Sequence, residues 1–199
     1  MTEIKGPPRI LAIDCATRFG WAFGEAGTRP ISGSKYFTRD GGKPKGGSIS
    51  NGAKFSNALR YAAEAAKEFN PTHIYCEAPI APNAKSGQTS TAVMLVLYGL
   101  PAALQGMFYT LGHHHWEFAH QSSVRSHFIG KGNGKGEAAK AAVQRKCVAL
   151  GWMDWSDPDI STDRADALAL WSYAEMRVAP KLCQPVDDLL IHSQSRRRA

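Results

Sequence analysis

The stretch ILAIDCATRFGWAFG, Ile10 to Gly24, decides the fold. Ile10, Leu11, Ala12 and Ile13 run apolar without polar alternation, the pattern of a central strand covered on both faces. Asp14 ends that run. Thr17-Arg18-Phe19-Gly20 has turn character, and Trp21-Ala22-Phe23 predicts a second strand returning beside the first as a hairpin. A carboxylate at the end of a buried strand needs a cation, a donor network or a raised pKa to offset its desolvation. Taken alone, Asp14 reads equally well as a residue capping its own turn.

Outward from this hairpin, ISGSKYFTR (Ile31 to Arg39) alternates as a third strand, and a Gly/Lys/Ser loop runs to Gly52. Phe55, Leu59, Ala62, Ala66 and Phe69 recur at helical spacing, ended by Asn70-Pro71. The strand THIYCE follows, Thr72 to Glu77. A helix between strands favours a crossover that leaves the new strand parallel to the first. Glu77 is then expected on the same sheet edge as Asp14.

Past a loop from Ala78 to Ser90, Val93, Leu97, Leu100, Leu104, Phe108 and Leu111 form a second helical stripe, with a kink expected at Gly99-Leu100-Pro101. HHHWEFA, His113 to Ala119, is the last strand candidate, and neighbouring histidines on a strand point to opposite faces, which argues against a shared metal. Ser122 to Phe128 predicts a short helix, Gly136 to Leu150 a longer one, and Asp163 to Val178 the last. The expected architecture is a mixed α/β domain with five strands, the first three antiparallel and the rest parallel. One domain is expected over 1–185, with a basic, mobile tail at 186–199.

The chain has 199 residues, and 24 Lys and Arg against 17 Asp and Glu give +7 and a pI near 9.3. That balance suits a polyanionic partner, although many soluble proteins carry a basic surface. The placement says more: Lys and Arg recur with Gly in Arg39 to Lys54 and in Arg125 to Lys140, and such loops can follow a phosphate backbone without reading bases. The four cysteines, Cys15, Cys76, Cys147 and Cys183, show no zinc-type spacing and read as thiols in a reducing compartment. Cys15 and Cys76 flank the strand-end acids and are expected together on the face opposite to them. Neither a secretory signal nor a membrane-length apolar run is read from the sequence, so a cytoplasmic location without membrane contact is expected.

The last helix opens STDRADALALWSYA, with Asp163 and Asp166 on nearly one side of its first turn. Two acids there also suit capping and the helix dipole. The set of Asp14, Glu77, Asp163 and Asp166 shifts the balance, because four clustered carboxylates repel one another unless cations sit among them. Oxygen-only ligands suit Mg²⁺ or Mn²⁺. Two such ions about 4 Å apart can activate a water and stabilise the leaving oxygen of an in-line phosphodiester displacement, which is nuclease chemistry.

These residues resemble a known family. LAIDCATRFGWAF is similar to the first motif of RuvC-type Holliday junction resolvases, IYCEAP to the second, and DRADALAL to the last. FAHQSSVRSHFIGKGNGKGEAAKAAVQRKCVALGW resembles the basic segment that precedes the terminal helix, and the likeness runs from about Arg9 to Arg177. It implies an RNase H-like fold, a homodimer, and paired symmetric nicks across a four-way DNA junction. By motif, Asp14, Glu77, Asp163 and Asp166 would be catalytic and hold two Mg²⁺ or Mn²⁺ ions, with Lys140 on the phosphate side. Arg125, Ser122, Lys131 and Lys135 would be further DNA contacts.

The family often has an aromatic residue shortly after the second acid, where this chain has Ala78-Pro79-Ile80. Ile80 can wedge between bases but cannot stack, so the base preference need not carry over. The basic loop from Arg39 to Lys54 is also longer than the family's usual link. Such departures suit a divergent member, for instance a phage-encoded one. Two nearby readings share the fold: a nuclease for RNA-DNA hybrids or flap DNA, and a non-catalytic branched-DNA-binding module. A sugar-kinase-like or actin-like chain would need a second nucleotide-binding lobe, so no nucleotide cofactor is expected.

Overall fold

The computed structural model of the chain describes residues 6–16, 18–44, 49–79, 91–130 and 136–183. Five strands, β1 (Arg9–Asp14), β2 (Arg18–Glu25), β3 (Ile31–Tyr36), β4 (His73–Glu77) and β5 (Trp116–Ala119), form one sheet in the order β3-β2-β1-β4-β5. β1 and β2 pair antiparallel with Asp14 opposite Gly20, and β2 pairs antiparallel with β3. β1 to β4 and β4 to β5 are parallel, as the helical crossovers predict. This is the RNase H-like arrangement expected from the sequence. β1 lies at the centre because Ile10 to Ile13 are wholly buried, the signature of a strand covered on both sides.

The two faces bury alternate residues of the same strands. Leu11, Ile13 and Ile74 meet α1 (Asn51–Phe69) and α2 (Thr91–Thr110). Ile10, Ala12, Ala22 and Tyr75 meet α3 (Gln121–Ile129), α4 (Glu137–Ala149) and α5 (Thr162–Val178). α5 crosses the sheet over its small residues. Trp171 is fully buried, its indole N–H donating to the Ile10 carbonyl at 3.2 Å while its ring lies where a side chain on Gly24 would stand.

Local signals set most boundaries. Ser50 caps α1 by accepting from Ala53 N, and Asn70, at φ 43°, ends it in the left-handed conformation that Asn tolerates. Ser161 caps α5 through the Arg164 N–H at 3.2 Å, so Asp163 and Asp166 are not the caps.

Several expectations shift. β5 is shorter than read: His113 bonds the Pro71 carbonyl at 2.8 Å instead of joining the strand. β3 stops at Tyr36. In α1, Leu59 is exposed and Ala58, Tyr61 and Ala65 take the buried positions. Pro101 does not end α2; it is buried within the helix beside Leu100 and Leu104. The first turns of α2 expose Val93, Leu95 and Tyr98, and Leu111 just beyond its end is exposed as well. Over Thr91–Thr110 the mean hydropathy is 1.5, so by length and composition alone this helix is apolar enough to cross a membrane, which the sequence reading overlooked. Here Leu100, Leu104 and Phe108 pack it into the layer shared with α1. The expected tail at 186–199 lies outside the described residues.

Candidate active site

β1 and β4 run parallel with Ile13 opposite Cys76, so Asp14 and Glu77 end neighbouring strands on one edge. α5 brings the other two acids to that edge. A Cβ on Gly20, the strand partner of Asp14, would lie 1.9 Å from the Asp163 carbonyl oxygen, so the absence of a side chain lets the first turn of α5 rest on β2. Asp163 and Asp166 therefore reach the end of β1.

The electrostatics register this convergence. Burial, and then the charges of Glu77, Asp166 and Asp163, hold the Asp14 carboxyl well above the usual carboxylate range. Burial and the Asp166 charge push Glu77 up to about 7. Burial, opposed by Arg125 and Lys140, leaves Asp166 at about 6, and burial also raises Asp163. No hydrogen bond contributes to the state of Asp14, which removes its reading as the cap of its own turn.

Three cations face this cluster. Lys140, on α4, acts on all four acids, lowering each, although its ammonium lies 3.4 Å from Glu137. Arg125, on α3, is turned inward: its Nη2 is 3.9 Å from Asp166 Oδ2, and its Nε is buried without a partner among the described residues. Arg18, at the start of β2, reaches Asp163 Oδ2 at 3.5 Å and Asp159 Oδ1 at 2.9 Å. Ser34 ties the same guanidinium down and donates to Asp159 Oδ1 at 2.7 Å. Burial works to raise Asp159, but hydrogen bonds from Ser34 and Ser161 and the Arg18 charge outweigh it and hold this acid below its usual value.

Of the residues expected from sequence, Asp14, Glu77, Asp163, Asp166, Lys140 and Arg125 come together. Ser122 is exposed on α3. Ile80, Lys131 and Lys135 lie outside the described residues. Gln121, one helical turn before Arg125, was missed: its side-chain amide donates to Glu77 Oε1 at 3.0 Å. An i, i+4 spacing from Arg125 could have pointed to it. Arg18 stood in the opening stretch but read only as turn. Cys15 and Cys76 do hydrogen-bond each other, as their shared face predicts.

The donors at this edge are all carboxylate oxygens, the chemistry that Mg²⁺ and Mn²⁺ prefer. Among the described residues, no three His, Cys, Asp or Glu side chains are already drawn into a ligand shell. The acids fit such an ion by chemistry and by their unfavourable mutual charge, which bound cations would relieve.

No protein-family model and no curated protein matches the chain. Solved structures do. Thermus thermophilus RuvC in complex with a Holliday junction substrate superposes with a TM-score of 0.61 at 13% identity, over 89% of this chain and 99% of that one. A second Thermus thermophilus RuvC structure gives 0.54 at 15%, covering 85% and 95%. The yeast mitochondrial Holliday junction resolvase gives 0.59 at 15%, covering 92% and 85%. The chain shares the fold of these proteins along nearly its whole length.

Proposed function

We propose that this chain is a divergent RuvC-type resolvase, a metal-dependent endonuclease that cuts four-way DNA junctions by paired symmetric nicks. The observation that carries the reading is the meeting of Asp14, Glu77, Asp163 and Asp166 on one sheet edge, with Lys140 acting on all four. The match in fold to two junction resolvases supports the choice of substrate.

In this reading the four acids hold divalent cations. Bound there, Mg²⁺ or Mn²⁺ supplies an activated water and offsets charge on the leaving oxygen. The chain's own residues do the rest. The protons that Asp14, Glu77 and Asp166 retain near neutral pH are displaced as cations bind, so loading is favoured by rising pH. Lys140 and Arg125 bring fixed positive charge to the place where a phosphodiester gains negative charge during displacement. Gln121 and Arg18 keep Glu77 and Asp163 from turning away.

Symmetric nicks on two strands need two sites, hence two copies of the chain. The exposed Val93, Leu95 and Tyr98 of α2 are the surface proposed to join them.

The test is cleavage of an end-labelled synthetic four-way junction with Mg²⁺ or Mn²⁺, against linear, flap and RNA-DNA hybrid controls. Symmetric nicks made by the wild type and lost in Asp14→Asn are expected. Cutting of flaps or hybrids alone would keep the chemistry and overturn the substrate; junction binding without cutting would favour the non-catalytic module.

A further inference from the structure

The turn that follows β3 closes a separate pocket, of about 130 Å³, on the α1 side of the sheet. Its wall includes Lys35, Arg39, Arg60 and Tyr61, together with Asp40 and Glu64. Both carboxylates are already engaged. Asp40 accepts from the Gly42 N–H at 3.1 Å and from the Thr38 hydroxyl at 3.0 Å, inside the turn. Glu64 lies 3.7 Å from Arg60.

Arg60 also donates to the Thr38 and Arg39 carbonyls, and Asn57 donates to the Phe37 carbonyl at 3.1 Å. The turn is thus braced against α1 rather than left loose. Neither Lys35 nor Arg39 has a salt-bridge partner among the described residues. Tyr61 is 8% exposed, and its hydroxyl is buried without a hydrogen-bond partner. Two unpaired cations and an unused hydroxyl around one preformed hollow are the chemistry of an anion site.

Its place relative to Asp14 follows from the sheet. Asp14 pairs with Gly20 and Gly20 with Ser34, while Arg18 pairs with Tyr36. The end of β3 therefore shares the edge of the acids, two strands away, which is roughly 10 Å at ~4.8 Å per strand. A duplex strand advances ~3.4 Å of axis per phosphate, so this offset is about three nucleotides.

We propose that this pocket is a second phosphate subsite, holding the backbone of the DNA arm about three nucleotides from the phosphate at Asp14, with Lys35 and Arg39 as its cations. The assignment deepens the nuclease reading and rests on it. It also gives the basic segment after β3 a function through its ordered part.

The experiment is the salt dependence of junction binding, followed by fluorescence anisotropy in the Asp14→Asn background so that no DNA is cut. The Lys35→Ala/Arg39→Ala pair is compared with Lys67→Ala, an exposed lysine in the last turn of α1. Arg60 stays in place because it braces the turn. The double variant is expected to flatten the slope of log affinity against log salt by about 2, at ~0.9 per lost phosphate contact, and Lys67→Ala to leave it unchanged. Equal slopes in the double variant and its parent would overturn the subsite. So would inorganic phosphate binding to the parent and lost in the double variant while the slope stays, since the pocket would then serve a free anion. Cleavage by the otherwise wild-type chain is measured in parallel. Junctions cut with no change of slope sink the subsite alone; a changed slope without cutting sinks the nuclease reading and leaves the subsite standing.

Discussion

The carbonyl oxygen of Asp163 occupies the space that a side chain on Gly20 would need, 1.9 Å from where its Cβ would lie. This backbone-on-backbone contact sets the distance between α5 and the end of β1, and nothing flexible can yield there. Gly20→Ala should push α5 outward, costing about 3 kcal/mol of stability or more, at the upper end for an overpacked core. Urea unfolding measures that cost. Cleavage should fall far more than the population of folded protein, and parallel losses would show that Gly20 only stabilises the fold.

Stability should depend on pH in a defined direction. Glu77 rises from 4.5 to about 7 and Asp166 from 3.8 to about 6, so between about 4 and 7 the folded chain binds more protons than the unfolded one. Stability is then lost as pH rises through that window, and the loss is complete above it. In chelator, the urea midpoint should fall from pH 5 to pH 8. Added Mg²⁺ should flatten that decline by taking the place of the protons.

Neutralising an acid should separate stability from activity. Glu77→Gln keeps an oxygen able to accept from Gln121 and removes a charge that burial and Asp166 disfavour. At pH 8 without metal it should be more stable than wild type by about 1 kcal/mol or more, at ~1.4 kcal/mol per pKa unit relieved. Junction cleavage should be abolished. A destabilised variant in urea would contradict the charge crowding inferred at this edge.

Arg125 is the cation nearest Asp166, and it also lowers Glu77. Arg125→Ala should therefore move both carboxyl titrations upward in the metal-free protein, Asp166 above its value of about 6. Carbon-detected NMR of the carboxyl groups reads this directly. Unmoved titrations would place Arg125 away from the acids in solution.

Arg18 is a positioning residue for Asp163. Its ion pairs are partly exposed, with side-chain accessibility of 37% for Arg18 and 31% for Asp159, so removing it should cost under about 1 kcal/mol of stability. Single-turnover cleavage should drop about tenfold or more. Arg18→Lys should not restore it, because one ammonium cannot serve Ser34, Asp159 and Asp163 as a planar fork does. Full rescue by lysine would reduce Arg18 to a source of charge.

The hairpin, the crossover and the set of acids were legible because each has a short-range signature: an unbroken apolar run, a 3.6-residue stripe, a polar residue ending a strand. Less legible were the features that depend on packing partners. Gly20 looked like a turn residue, since only the approach of α5 reveals why a side chain is forbidden there. Leu59 matched the helical period yet lies outside, because Ala58 and Ala65 give a closer approach to the sheet. Gln121 and Arg18 act through partners on other elements, and sequence spacing is silent about those. The capping of α5 was misassigned to its acids because Ser161 stands one residue before the segment that was read as helix.

Seating α5 on Gly20 has a consequence for the cell that makes this protein. Asp163 and Asp166 sit on the last described helix, whereas Asp14 sits on the first strand. A nascent chain, or one clipped before α5, carries only half of the acids and is chemically silent toward the DNA around it. For the nuclease proposed here, folding to completion is itself the safety catch, and no separate inhibitor is needed while the enzyme is being made.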